Sequence, residues 1–94
     1  MAFHGQVTIP ANTMTLLNAT SVTGLTVANA SAWGVVLVPT VAAVAPVTTV
    51  GGVPLAAGGV LLSTLGLGDI WPGIAAEYVW GYSTKEMQVQ VSHA

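Results

Sequence analysis

Hydrophobic and polar positions alternate in short stretches along this chain, and turn residues interrupt the alternation at roughly eight- to twelve-residue intervals. That rhythm predicts strands rather than helices. Phe3–Ile9 reads as the first strand, with Phe3, Val7 and Ile9 on one face by period two. Pro10-Ala11-Asn12-Thr13 ends it. Met14–Asn18 reads as a short second strand. Val22–Ala28 alternates less cleanly through Val22, Leu25 and Val27, with Gly24 as a candidate bulge. Asn29-Ala30-Ser31-Ala32 is a turn, and Trp33–Val38 is a continuous apolar run of strand length, the pattern of a strand covered on both faces.

The second half follows the same rhythm. Thr40–Ala45, bracketed by Pro39 and Pro46, reads as a loop or irregular edge segment. Val47–Val50 reads as a short strand turned by Gly51-Gly52, and Val53–Leu55 leads into a turn at Ala57-Gly58-Gly59. The two Gly-Gly-Val units, 51–53 and 58–60, look like two ends of one hairpin. Val60–Leu65 reads as a strand, Gly66–Asp69 as a tight loop, and Asp69–Ile74, which carries Trp71-Pro72-Gly73, as at best an edge strand. Glu77–Tyr82 alternates Tyr78, Trp80 and Tyr82 on one face. Thr84-Lys85-Glu86 turns the chain into Met87–Val91, the cleanest alternation of all: Met87, Val89 and Val91 inward, Gln88, Gln90 and Ser92 outward. The expected fold is therefore all-β, a single compact antiparallel β-sandwich or barrel of about seven or eight short strands over residues 1–94.

Charge changes the picture. Three acids and one Lys or Arg serve 94 residues, and 4% of the chain is charged where about a quarter is usual. The stretch from Ala32 to Leu67 has no charge at all. So uncharged and apolar a surface is expected to be covered, by copies of the same chain, by a partner protein or by a membrane. The lack of Lys/Arg clusters argues against nucleic acid, whose binding draws on phosphate neutralisation, and against anionic lipid. Pro39, Pro46 and Pro54 and the glycine pairs break the uncharged stretch, so no membrane-spanning helix is expected. The start, Met1-Ala2-Phe3-His4-Gly5-Gln6, lacks the basic and apolar regions of a signal peptide. No cysteine is present to form a disulfide or a thiolate zinc site.

The order of features from Val22 onward resembles small structural proteins of tailed-phage virions. The matching text is Asn29-Ala30-Ser31, the run Trp33–Val38, Gly52-Val53-Pro54-Leu55-Ala56-Ala57-Gly58, Gly68-Asp69-Ile70-Trp71, and Met87–Val91. The resemblance implies a compact β-sandwich or barrel in a capsid or tail, serving decoration, cementing or attachment, without catalysis. It implies a virion location, the capsid surface ahead of the tail, with major capsid or other virion proteins as partners. The very low charge and the segment Val41–Pro46 depart from the pattern.

Few residues offer chemistry. His4 and His93 lie near the termini and would approach if the terminal strands paired, but two ligands do not make a zinc site. Asp69, Glu77 and Glu86 are the carboxylates; a glycosidase needs two of them across a cleft. An aspartate after Gly68 commonly bonds its own turn, and Glu86 beside Lys85 sits at a solvated hairpin tip. The glycine-rich segments lack the lysine and following helix of a phosphate loop. No catalytic, metal-binding or cofactor-binding residue is assigned, and no cofactor is expected. Trp33, Trp71, Tyr78, Trp80 and Tyr82 are the candidate interface or ligand-platform residues, since aromatics serve sheet packing, subunit interfaces and sugar platforms alike. The expected function is a non-enzymatic structural virion protein that self-associates, as a trimer or higher ring, and decorates or cements a capsid through apolar and backbone contacts. The alternative is a receptor- or carbohydrate-binding module at a tail or fibre tip.

Overall fold

The alternation in the last strand organises half of the molecule. The computed structural model describes residues 3–61 and 66–93. Its strands are β1 (Phe3–Ile9), β2 (Thr15–Leu16), β3 (Thr26–Ala28), β4 (Val35–Thr40), β5 (Val53–Leu55), β6 (Val60–Leu61), β7 (Tyr78–Tyr82) and β8 (Met87–His93); one helical turn, α1 (Leu67–Ile70), lies between β6 and β7. They form two antiparallel four-stranded sheets, β1-β8-β3-β6 and β2-β7-β4-β5. The fold is thus the expected all-β sandwich.

Burial follows the period of two. In β8, Met87, Val89, Val91 and His93 are buried while Gln88 and Gln90 are exposed. The register Val7↔Val89 and Ile9↔Met87 places β1 on the same inner face. From the other sheet come Val35, Leu37, Leu55 and Val79. Val27 of β3, Leu67 of α1, and Leu17, Leu25 and Trp71 from the connections complete the core. A fully buried aliphatic side chain contributes about 1.5–3 kcal/mol, and this row is the main source of stability in a domain of this size.

Two asparagines satisfy the backbone where strands leave the sheets. Asn18 is fully buried; its amide donates to Thr20 O (2.9 Å) and Glu77 O (3.0 Å), and its oxygen accepts from the Val79 N–H (2.8 Å). Asn29, 1% exposed, donates to Trp33 O (2.8 Å), Leu55 O (3.1 Å) and Ala56 O (3.3 Å), and accepts from the Ser31 N–H (3.1 Å). Its own backbone bonds Gly59 O and the Gly58 N–H. The Asn29 turn is present as expected, and its side chain joins the β3–β4 connection to the one after β5.

Gly81 faces inward from β7. A Cβ there would lie 2.6 Å from Ile9 Cδ1 and 3.5 Å from Leu17 Cδ2. Hydrogen at this position lets the two sheets close. Gly81→Val is expected to destabilise by about 2–3 kcal/mol through overpacking, lowering the thermal midpoint by about 10–20 °C. An unchanged melting curve would show that Ile9 repacks freely.

Several expectations are corrected. Val47–Val50 is not a strand: Val47 is 100% exposed and Val50 83%. The Gly-Gly-Val units do not bound a hairpin, because β5 pairs with β4 in one sheet and β6 pairs with β3 in the other. Gly58, at φ +81°, turns the chain from one sheet to the other. Gly66–Asp69 is not a loop but the start of α1, and Asp69–Ile74 is not a strand. Pro72-Gly73 stops the helix after one turn, since proline lacks the N–H needed to extend it. The Val22–Ala28 strand is cut to three residues, and Gly24 lies outside the ladder. The apolar run at 33–38 pairs from Val35 and continues through Pro39 to Thr40, with Trp33 outside it. Of the expected strand Val60–Leu65, the part beyond Leu61 lies outside the described residues.

Candidate functional site

The terminal strands do pair, yet the two histidines diverge. His4 is opposite Ser92 and His93 opposite Phe3, so successive positions put His4 on the outer face and His93 on the inner one. His93 is buried, 8% exposed, and stacks on Phe3 at 5.9 Å and 25°. Among the described residues no group of three or more His, Asp or Glu is placed to hold a metal ion. Asp69 Oδ2 accepts from the Gly66 N–H at 3.2 Å and closes the start of α1, the turn-bonding role expected of it. Glu77 Oε1 accepts from Ser21 Oγ at 2.6 Å. Glu86 is exposed beside Lys85.

The aromatic residues separate. Trp71 belongs to the core and donates Nε1–H to Gly51 O at 3.0 Å. Trp80, 8% exposed, donates Nε1–H to Thr40 Oγ1 at 2.9 Å. Both indoles are largely buried and hydrogen-bonded, although Trp71 borders a recess with Pro39, Val50 and Ile74. Tyr78 and Tyr82 flank Trp80 on the outer face of their sheet and are half-buried; the Tyr82 hydroxyl donates to Asn12 Oδ1 at 3.3 Å. Trp33 alone of the three tryptophans is open, at 50%.

Trp33 borders a cleft of about 350 Å³ on the outer face of the β1–β8 sheet. The floor follows from register: Gln6 lies opposite Gln90, with Gln88 two residues along the same strand, and all three side chains point outward. Ser31 and Trp33 form one wall, and Glu86 stands at the end. Asn29 fixes that wall through Trp33 O, while the Trp33 N–H donates to Ser31 Oγ at 3.0 Å. Lys85 Nζ lies 5.5 Å from the Trp33 ring centroid, a cation–π distance.

No protein family, curated protein or solved structure matches this chain.

A second exposed feature lies between β4 and β5. Valine occupies every third position from Val35 to Val53. Within that run Val41 is 53% exposed, Val44 71%, Val47 100% and Val50 83%. A spacing of three fits neither a strand nor an α-helix, and the segment is a series of bends outside both sheets. Its hydrogen bonds are local: the Val44 N–H donates to Ala42 O and the Val50 N–H to Thr48 Oγ1. Gly52 anchors the far end, with Val36 Cγ1 where a Cβ would stand at 2.6 Å. Among the described residues no helix is long and apolar enough to cross a membrane.

Proposed function

We propose that this chain is an assembly subunit, a structural virion protein that associates with copies of itself and docks on a capsid through apolar and backbone contacts. The carrying observation is the ribbon of Val41, Val44, Val47 and Val50, whose combined exposure is equivalent to about three whole valine side chains. The virion setting rests on the resemblance of the turn and strand text alone.

Magnitudes limit what the ribbon does by itself. Burying it yields about 5–9 kcal/mol, and association costs about 4–15 kcal/mol in lost freedom. One such contact is therefore weak. Firm attachment requires many copies engaged at once, as on a shell, or a second kind of contact. β1 supplies one. It is an edge strand of seven residues without charge or proline. The other edges are two or three described residues long, and β5 carries Pro54. An edge left unblocked presents a row of N–H and C=O groups to another chain.

The test is sedimentation of the whole protein up to about 100 μM, a concentration that detects an association of about 5.5 kcal/mol. The wild type is expected to associate, and Val47→Asp with Val50→Asp to sediment as a folded monomer. Both positions are exposed, so neither change touches the core. A wild type that stays monomeric throughout that range overturns the reading.

A further inference from the structure

We propose that the Trp33 cleft is a binding site for an uncharged saccharide. The cleft shares strand β1 with the self-association reading through Gln6, but it uses the outer face of that strand rather than its edge and none of the valine ribbon, so the proposal does not rest on that reading.

The argument starts from what the cleft contains. Gln6, Gln88 and Gln90 each carry an amide that both donates and accepts. A hydroxyl also does both, so a row of amides matches a row of hydroxyls without any ionised group. Three amides arrive together because β1 and β8 pair in a register that sets Gln6 against Gln90, with Gln88 two residues along the same face. Beside them stands a half-exposed indole whose position is fixed from below by Asn29. A sugar ring has an apolar C–H face and a rim of hydroxyls. The indole suits the face, and the amides, Ser31 and Glu86 suit the rim.

Charge narrows the ligand class. One carboxylate, Glu86, lines the cleft, and one cation, Lys85, lies over the Trp33 ring, so the site carries no cluster of either sign. A phosphate or nucleic acid lacks the cationic cluster it needs. A metal ion finds one carboxylate. An apolar ligand meets an amide floor that it would desolvate without replacing the hydrogen bonds. A neutral polyhydroxyl ligand satisfies every group present. The cleft is open and shallow, so the expected Kd is about 1 mM.

The experiment uses the whole protein and four probes: maltotriose, chitotriose, mannotriose and a β-linked galactotriose. Each is titrated to about 10 mM, roughly ten times the expected Kd, while the indole and glutamine side-chain N–H resonances are followed by NMR. At least one probe is expected to give saturable shifts at Trp33, Gln6, Gln88 and Gln90, with the buried Trp71 and Trp80 indoles unmoved. Trp33→Ala should abolish the response with no change in melting, because this ring is exposed. Gln88→Ala keeps the ring and should weaken binding about three- to tenfold. No response to any of the four probes overturns the proposal. So does a response that survives Trp33→Ala, or inorganic phosphate shifting the same resonances with the same saturation.

Discussion

Val89→Asp is expected to unfold much of the population at 25 °C, while Gln90→Asp, one residue on, leaves stability nearly unchanged. Val89 is fully buried, opposite Val7 on the inner face; Gln90 is exposed, opposite Gln6 on the outer face. A carboxylate at 89 would have no cation near it, since the single lysine lies in the exposed turn before β8. An unpaired buried charge costs about 3–5 kcal/mol, and the lost valine packing adds about 1–2 kcal/mol. That sum rivals the whole stability of a small domain, which begins at about 5 kcal/mol. At 90 the new charge stays in water and the expected change is within about 0.5 kcal/mol. Urea unfolding followed by circular dichroism reads both. Because a one-residue slip would exchange the faces, equal losses from the two substitutions would show that β8 is set in the wrong register.

Asn29→Ala is expected to cost about 2–4 kcal/mol, more than most changes to a polar residue. The substitution leaves Trp33 O, Leu55 O, Ala56 O and the Ser31 N–H without their partner. A buried group stripped of its hydrogen bond costs about 1–3 kcal/mol. The Leu55 bond is wholly buried, whereas the others reach solvent on one side, so water recovers part of the loss there. Asn29→Asp should do no better. It keeps an acceptor for Ser31 but turns a carboxylate toward three carbonyl oxygens. Thermal melting of both variants is the measurement. A loss below about 1 kcal/mol in Asn29→Ala would mean that water replaces the amide.

What was legible in the sequence tracks how each element is buried. β8 alternates strictly because one of its faces meets the core and the other meets water, and its period names the inner residues directly. β1 was legible for the same reason, down to Phe3, Val7 and Ile9 sharing a face. The Val47–Val50 segment was misread because valine favours strands; propensity could not show that no neighbouring strand was there to pair with it. The Gly-Gly-Val units misled because a glycine turn says that the chain reverses, not whether it returns to the same sheet. Asn29 was legible as a turn former. Its larger role was not, since Leu55 and Ala56 lie 26 and 27 residues away. The candidate site followed the same logic. Counting aromatics named five candidates together, and it could not tell that packing draws Trp71 and Trp80 inward while Trp33 stays open. The Trp33 cleft emerges only once β1 is laid against β8 and Gln6 meets Gln90.

The pairing of β1 with β8 also sets a timetable for synthesis. Every residue pair between them joins the first few residues of this sequence to its last few. At about 5–20 residues per second, the remaining residues take about 5–20 s to emerge from the ribosome. For much of that interval β1 has left the ribosome while the strand it pairs with, β8, is not yet available. Such distant pairings also form slowly once both ends are available. A segment that carries no charge or proline must therefore wait unpaired among other nascent chains. Overexpression should expose this delay as inclusion bodies, and slower translation at low temperature should raise the soluble yield.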